Sequence, residues 1–306
     1  MKPLLLRLHR WITLVFAIPL AVVIVTGLIL SFEPIVQDAT TRGASLPPEK
    51  IIALLDKHDP ESKARGVMIR AYENRIELLG VGEDGSTELD LKTGAVIEDE
   101  STTLSEIFGT ARGLHEHFLF DLGWVVTAST IAMIVLIILG VFMGWPRLRN
   151  SISGWHQGMA WFGLPILAVS PITGLMLAFG ITFATPVKQD RAALPPIKEA
   201  VQMLGKERDL GGLIWLRQRG PRLLARINEG GAFNVYNVSR SGITLTQTNW
   251  PRALHEGNAF GSWTGMMVLV TSIGFVGLLG TGLTIYVRRR FRKPNRQRNR
   301  EAMPAE

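Results

Sequence analysis

Four long stretches without charged side chains constrain the fold of this chain more than any other feature. They cover residues 11–32, 122–146, 151–187 and 257–287, and none of them contains Asp, Glu, Lys or Arg. Each is longer than the roughly 20 apolar residues that an α-helix needs to cross about 30 Å of hydrocarbon. We therefore predict an integral membrane α-helical protein with four transmembrane helices.

The distribution of basic residues predicts how these helices are oriented. The net charge is +7, but residues 288–300 contain a dense group of Arg and Lys with no acidic residue, and the rest of the chain is close to neutral. Such a group beside an apolar stretch is typical of the cytoplasmic flank of a membrane helix, and it does not favour a nucleic-acid partner. Five further basic residues flank the other predicted cytoplasmic ends: Lys2, Arg7, Arg10, Arg147 and Arg149. We predict a multi-pass protein of a bacterial inner membrane, embedded in the lipid bilayer, with both termini in the cytoplasm.

The first apolar stretch has an alternative interpretation as a cleaved signal peptide, because basic residues precede it. Its uncharged run is longer than a usual signal-peptide core, and no small-residue cleavage site lies before Glu33-Pro34. An uncleaved membrane anchor is therefore favoured.

The chain contains no cysteine. This excludes thiolate metal sites, iron–sulfur clusters, haem attached through cysteine and disulfide bonds.

A repeated pattern places histidines at matching positions in the two halves of the chain. The matching segments are Leu8-His9 with Trp155-His156, Thr26-Gly27 with Thr173-Gly174, and Leu114-His115-Glu116 with Leu254-His255-Glu256. The repeat predicts a duplicated unit of helix, outer domain and helix. His9 and His156 would then open helices at the cytoplasmic face, and His115 and His255 would open helices at the outer face.

Paired histidines on neighbouring membrane helices suit haem iron, because two imidazoles make it a six-coordinate electron-transfer centre. We predict two haem groups per chain, with axial pairs His9/His156 and His115/His255; histidines that merely sit at the membrane interface are the alternative. Four glycines are expected to let the macrocycles approach the backbone, or else to let helices pack closely: Gly27, Gly174, Gly140 and Gly280. Ligands at opposite helix ends would separate the irons by about 30 Å, which is far for electron transfer.

Three polar neighbours of the outer histidines have open roles. His117 has Gly257 at its matching position, so it either binds substrate iron or is a surface residue. Glu116 and Glu256 either orient an imidazole, attract a cationic ferric substrate or are ordinary interface charges. No catalytic residue is predicted.

The outer segments are expected to form small α+β units. Helices are predicted from Pro47 and from Pro195, and strands at 66–72, 75–79, 87–91, 95–97, 222–227, 232–238 and 243–245. Gly80-x-Gly82-x-x-Gly85 has the letters of a dinucleotide fingerprint, but a strand follows it where that motif needs a helix, so it is predicted to be a turn. His58 is expected to be an exposed loop residue.

These features divide the chain into seven segments. The predicted membrane helices cover 1–33, 114–147, 148–185 (which includes a cytoplasmic turn) and 255–288. The outer segments cover 34–113 and a degenerate 186–254, and a basic tail covers 289–306.

The chain also resembles the PepSY-associated transmembrane family, which includes bacterial inner-membrane siderophore–iron reductases of the ferrioxamine-linked type. The resemblance is carried by Leu8-His9-Arg10-Trp11 with Thr26-Gly27, by the strand and turn at 89–96, and by Leu114-His115-Glu116 with Gly280-x-Gly282. It implies a four-helix haem b protein with PepSY-like periplasmic domains. Such a protein passes electrons from quinol or a cytoplasmic reductant to a periplasmic ferric siderophore and releases Fe(II).

Two functions without redox activity compete with this one. A permease or accessory subunit would carry the siderophore or iron, although membrane stretches without charges make a poor ion pathway. Pro165 and Pro171 can break the third helix, as transport sites require. A PepSY-based sensor or inhibitor with passive histidines is the other alternative, and bound haem would argue against both.

Overall fold

A computed structural model of the protein describes residues 2–83, 85–98, 103–185 and 194–291. Within these ranges the helices are α1 (Lys2–Val15), α2 (Ala17–Leu30), α3 (Glu33–Thr41), α4 (Pro48–His58), α5 (Leu104–His117), α6 (Gly123–Phe142), α7 (Ile152–Phe162), α8 (Leu164–Ala178), α9 (Ile197–Glu207), α10 (Trp250–His255) and α11 (Ser262–Arg290). Most of the predicted basic tail at 289–306 lies outside the described residues.

Three helical segments are long and apolar enough to cross a membrane: Ala17–Thr41, Gly123–Phe142 and Ser262–Arg290. The pair α7 and α8, bent by 68°, makes a fourth if it forms one span. The first and third predicted helices are therefore each divided, after Val15 and after Phe162. Pro19 and Pro165 explain the breaks, because a proline clashes with the carbonyl four residues before it and has no N–H to donate.

The helices of the two halves pack in matching pairs. Helix α1 contacts α6 as α7 contacts α11, and α2 contacts α5 as α8 contacts α10. The halves meet where α2 packs on α11 and α6 packs on α8. A small apolar cluster fills the centre of the bundle: Leu20, Ile24, Met133, Leu167 and Phe275.

Strands from both outer segments form one seven-stranded antiparallel sheet with the order β3-β2-β1-β4-β5-β6-β7. The strands are β1 (Gly66–Arg70), β2 (Arg75–Leu79), β3 (Ser86–Asp90), β4 (Leu213–Arg219), β5 (Arg222–Glu229), β6 (Ala232–Ser239) and β7 (Gly242–Leu245). The segments were expected to be separate units, but β1 pairs with β4, with Val67 opposite Leu216. Strand β4 was not predicted, and the expected strand at 95–97 is a single bridge between Leu89 and Val96.

The two faces of the sheet have different surroundings. Helices α4 and α9 cover one face, where fully buried side chains such as Val67, Leu78 and Leu216 form the main core. The opposite face carries Arg226, which contacts Glu256 directly after α10. This second face therefore looks towards the outer end of the helix bundle.

A buried polar network fastens the sheet to the bundle. Asn228 of β5 donates hydrogen bonds to Asp38 (3.1 Å) and Thr41 (2.7 Å) of α3. Ser262 at the start of α11 donates to the other Asp38 carboxylate oxygen (2.8 Å). Because Asn228, Asp38 and Thr41 are almost completely buried, each needs its partners, and the network holds three elements together.

Two local predictions have different outcomes. The glycine-rich segment is a turn between β2 and β3, with positive φ at Gly80, Gly82 and Gly85 and a 2.7 Å hydrogen bond from the Gly80 N–H to the Gly85 carbonyl. The expectation for His58 is wrong. It is the partly buried last residue of α4, with Nε2 3.0 Å from the Gly94 carbonyl oxygen.

Candidate functional site

The inner histidines meet across the bundle. His9 lies in α1 and His156 in α7, and their ring centroids are 6.5 Å apart with the rings almost perpendicular, at 88°. Helix α1 is supported by α6 and α7 by α11, so each imidazole comes from a different helix pair.

The outer histidines also meet. The ring centroids of His115 and His255 are 6.1 Å apart, and the rings are tilted by 45°. The expectation that they open membrane helices is wrong, because His115 lies in the last turn of α5 and His255 is the last residue of α10. Positive φ at Phe118 and Phe120 after α5, and at Gly257 and Gly261 after α10, separates each short helix from the span that follows.

Threonines hold three of the four imidazoles. Nδ1 lies 3.0 Å from the Thr26 hydroxyl in His115, 3.2 Å from Thr173 in His255 and 2.9 Å from Thr281 in His156. Each threonine hydroxyl already donates to a carbonyl in its own helix, at 2.6–2.7 Å. Its oxygen therefore accepts from Nδ1–H, which in His255 also lies 3.0 Å from the Ser170 carbonyl oxygen, and the lone pair of the imidazole is left on Nε2.

The glycine that follows each of these threonines lies against the same imidazole. A Cβ at Gly27 would be 3.2 Å from His115 Cε1, one at Gly174 would be 3.0 Å from His255 Cε1, and one at Gly282 would be 3.4 Å from His156 Cε1. The Thr-Gly pair thus combines a hydrogen-bond acceptor with room for the ring. Sequence reasoning used the glycines but missed the threonines, although Thr26-Gly27 and Thr173-Gly174 are part of the repeat.

The glycine that lies against His156 is not one of the two predicted inner glycines. A Cβ at Gly140 or Gly280 would meet nothing within 4 Å, whereas Gly282 faces His156. Met133 of α6 and Phe275 of α11 occupy matching positions in the central cluster. Gly140 lies seven residues after Met133, and Gly282 lies seven residues after Phe275. Gly140 therefore corresponds to Gly282, although Gly282 lies two residues farther from His255 than Gly140 lies from His115.

This correspondence explains why His9 differs from the other three histidines. Leu139 precedes Gly140 where Thr281 precedes Gly282, so the first half has no hydroxyl at this position. Accordingly, the buried His9 Nδ1 meets no hydroxyl, and the acceptor that its surroundings offer is the backbone carbonyl of Leu136.

The spacing within each pair suits one transition-metal ion between the rings. An imidazole nitrogen binds such an ion at about 2.0 Å and lies about 1.2 Å from its ring centroid, so two imidazoles on opposite sides have centroids about 6.4 Å apart. The observed 6.1 and 6.5 Å are close to this value. Within the described ranges, no group of three or more His, Cys, Asp or Glu side chains is arranged to hold a metal ion.

Comparison with known proteins places the chain in a family. Residues 6–289 match the family described as PepSY-associated TM region. The match covers nearly the whole chain and includes all four paired histidines. The chain belongs to the PepSY-associated transmembrane family. No curated protein matches it.

The acidic neighbours of the outer pair are not equivalent in this PepSY-associated protein. Glu256 is bonded to Arg226 (3.3 Å) and Arg252 (2.9 Å), and burial raises its pKa while these arginines lower it below the usual value overall. Glu116 is half exposed and 3.8 Å from Arg112. Glu256 is therefore held as a partly buried carboxylate, whereas Glu116 faces solvent.

His117 does not join the outer pair. Its ring is largely exposed, and Nδ1 lies 3.3 Å from the exposed carboxylate of Asp121. His115 has a contrasting environment, since burial, and to a lesser degree His255, lowers its pKa to about 4. His115 and His255 are thus neutral imidazoles at physiological pH, which is the form that binds metal ions.

The histidine pairs are closer together than the ends of a membrane helix. Gly27, at the level of the outer pair, lies seven residues beyond Leu20, and Gly282, at the level of the inner pair, lies seven residues beyond Phe275. Leu20 and Phe275 belong to the same central cluster. At 1.5 Å per residue the levels are about 20 Å apart.

Sequence reasoning also missed a group of arginines near the outer pair. The Arg217 guanidinium lies 4.5 Å and that of Arg219 5.9 Å from the centre of the Trp215 ring, and that of Arg226 lies 5.0 Å from the centre of the Phe233 ring. Alternation along a strand places these side chains on one face only after the sheet register is known. We call Trp215, Arg217, Arg219, Arg226 and Phe233 the arginine face.

Proposed function

We propose that this PepSY-associated membrane protein binds two haem b groups through His9/His156 and His115/His255, and that it reduces periplasmic ferric siderophores. The spacing of the two histidine pairs carries the proposal. The other observations support it as described below.

Each pair offers only two protein donors to a metal ion. Haem would fit such a pair, because its iron would take two donors from the protein in addition to the four nitrogens of the porphyrin. A bare structural ion would instead need side chains that the described residues do not bring to either pair. The donor set therefore fits haem better than a simple metal ion.

The surroundings of the imidazoles also suit this cofactor. Three imidazoles donate from Nδ1–H to a threonine hydroxyl, that of Thr26, Thr173 or Thr281. The Nε2 lone pair of each ring therefore points away from the helix that carries its threonine. Gly27, Gly174 and Gly282 leave space beside the rings, where a side chain would obstruct a flat macrocycle.

The arrangement of the helices supports an electron path across the membrane. Bound haem supplies one-electron chemistry. The separation of about 20 Å is measured between the centres of the two histidine pairs, so the edges of two bound haem groups would be closer than this. The chain holds the pairs on opposite sides of the apolar cluster around Met133 and Phe275, which keeps water away from the space between them. The matching helix contacts of the two halves also favour a duplicated unit with four spans.

The proposed direction of electron transfer follows from the position of the basic residues at the end of α11. Arg288, Arg289 and Arg290 end α11 beside the inner pair, so the inner pair would face the cytoplasm of a bacterial inner membrane, where a quinol or another reductant donates electrons. The outer pair lies next to the sheet, which would be periplasmic. One electron converts the Fe(III) of the siderophore to Fe(II), which hard oxygen ligands hold far less tightly.

A permease, an accessory subunit and a sensor or inhibitor are the alternative functions. Among the described spans, the central cluster is apolar and contains no charged side chain that would bind an ion in transit. The paired rings also have no role in these alternatives.

The test is a reduced-minus-oxidised visible spectrum of the purified protein from haem-replete cells, with haem counted per chain. We expect b-type bands and two haems, with one lost in His156→Ala and one in His255→Ala. His58→Ala is the matched control, because His58 bonds to Gly94 far from both pairs. A protein without haem would refute the proposal.

A second measurement separates a reductase from a cytochrome that only stores electrons. Anaerobic addition of a ferric siderophore to the reduced protein should oxidise the haem and release Fe(II) to a colorimetric chelator in equal amounts. A haem that stays reduced would leave the cofactor assignment intact and refute the reductase.

A further inference from the structure

The arginine face carries more positive charge than its surroundings neutralise. Arg226 shares the Glu256 carboxylate with Arg252, and Arg112 is paired with Glu33. Arg217 and Arg219 have no carboxylate partner among the described residues. Two guanidinium groups are thus left without neutralisation on one side of the sheet.

The environment of Arg217 supports an accumulation of charge. Burial, followed by the positive charges of Arg219, Arg226, Arg112 and Arg252, lowers its pKa to about 10. Its Nε is buried without a hydrogen-bond partner in the part of the chain that the structure describes. A buried donor without a partner destabilises the protein, so an oxygen atom of a ligand that accepts from this Nε–H would bind favourably.

The position of this face links it to the outer histidine pair. Arg226 bonds to Glu256, which directly follows His255. Arg112 lies one helical turn before His115 in α5 and belongs to the same group of charges. A molecule bound on the arginine face would therefore lie next to the outer pair.

The side chains also define the chemistry of a ligand. Guanidinium groups bind anionic oxygens with charge-assisted hydrogen bonds, often two at a time. The guanidinium groups lie over the partly buried Trp215 and Phe233 rings, so aromatic surface adjoins the charges, and a chelator ring can pack against it. Anionic oxygens on aromatic rings are the groups that a catecholate chelator presents around ferric iron.

We propose that the arginine face binds the ferric complex of an anionic, aromatic chelator of the catecholate class. This inference rests on the proposed function, because it takes the bound ferric complex to be the substrate that the outer haem reduces. A positively charged hydroxamate complex should bind more weakly, because it meets the unneutralised charge of Arg217 and Arg219.

Gallium(III) complexes test binding without any electron transfer, because gallium(III) is not reduced under these conditions. The affinity of the purified full-length protein is measured by isothermal titration for a triply negative gallium tricatecholate and a singly positive gallium trihydroxamate. We expect the tricatecholate to bind at least about tenfold more tightly, with an affinity that falls as salt is raised.

Substitutions then locate the binding site. The double variant Arg217→Gln with Arg219→Gln should weaken tricatecholate binding about tenfold or more, whereas Arg217→Lys, which keeps the charge, should retain part of the affinity. Arg208→Gln is the matched control, because Arg208 also lies over an aromatic ring, that of Tyr236 at 5.0 Å, but on the face covered by α9. Its affinity should stay within about twofold.

Equal affinity for the two complexes, or undiminished binding by the double variant, would overturn the proposal. If the double variant does not fold, Arg219→Gln alone serves, since Arg219 is exposed. The haem spectrum is recorded on the same samples. Normal haem content with no tricatecholate binding refutes this inference alone, and absent haem with intact binding refutes the proposed function alone.

Discussion

At the scale of single residues, the four histidines differ in the hydrogen-bond partner of Nδ1, the ring nitrogen that does not bind iron in the proposed function. Thr281 accepts a hydrogen bond from His156, whereas Leu139 occupies the matching position beside His9. The outer pair has threonine on both sides. The two proposed haem sites therefore differ in how firmly the chain orients their ligands.

Exchanging these residues tests the role of the hydroxyl. Thr281→Val should speed the loss of haem from the inner site about tenfold or more, because outer partners of metal-binding histidines typically affect affinity by 10–100-fold. Leu139→Thr should slow this loss by giving His9 an acceptor. The measurement is the rate of haem transfer to an excess of a haem-scavenging protein, and equal rates in both variants and the parent would contradict the prediction.

Glycines beside the imidazoles provide a steric test. Gly174→Ala puts a Cβ 3.0 Å from His255 Cε1, so the ring must shift, while Gly280→Ala meets nothing within 4 Å. We expect Gly174→Ala to reduce the haem content or shift the spectrum of the outer site only. Gly280→Ala should have the parent spectrum, and an identical spectrum for Gly174→Ala would show that the ring adjusts freely.

At the scale of elements, charges on three neighbouring strands stabilise the first part of the sheet. Glu88 of β3 is bonded to Arg70 of β1 and to Arg75 of β2 (2.8 Å), and Arg70 also bonds Glu77 (2.7 Å). Burial acts to raise the pKa of Glu88, but the hydrogen bonds from the two arginines lower it overall. Ionised Glu88 thus contributes to the stability of the folded sheet.

The pH dependence of this contribution has a definite sign. Because the folded pKa is below the unfolded value of about 4.3, the stabilisation is complete above that pH and is lost as the pH falls through the folded pKa. We expect Glu88→Gln to destabilise the protein by about 1–3 kcal/mol at pH 7, since it leaves two arginines with a weaker partner. The difference from the parent in chemical unfolding should shrink below about pH 4, and a constant difference across this range would contradict the assignment.

At the scale of the whole molecule, the Asp38 network determines how the sheet sits on the bundle. Asn228 is the only member contributed by the sheet in the hydrogen bonds described above, and it reaches both Asp38 and Thr41. The Asn228 contact and the ion pair between Arg226 and Glu256 both hold the arginine face in place relative to the outer histidines.

Asn228→Ala tests this connection. It removes the hydrogen bonds that Asp38 Oδ1 and the Thr41 hydroxyl accept from the Asn228 amide, while Asp38 Oδ2 keeps those from Arg42 and Ser262, and this loss costs about 1–3 kcal/mol. We expect faster hydrogen exchange in β5 and α3, with the central part of α6 unchanged as an internal control. Uniform exchange in all three elements would show that the sheet is held by other contacts.

The sequence by itself determined the features that depend on local chemistry or on the repeat. The apolar stretches, the two helices that begin after a proline, the Gly80–Gly85 turn and most strands follow from patterns within a few residues. The repeat also indicated that His9 belongs with His156 and His115 with His255, and the structure brings these residues together.

Only the tertiary structure decided the contacts between distant segments. Pairing of β1 with β4 joins the outer segments into one sheet, and Gly66 allows it, because a Cβ there would lie 2.7 Å from the Leu216 carbonyl oxygen. The packing of the helices places Gly282, and not Gly280, against His156. The alternation of side chains along the paired strands places the residues of the arginine face on one side of the sheet. Such contacts depend on which segments bury each other's surfaces, and this free energy is not encoded in the spacing of residues along one segment.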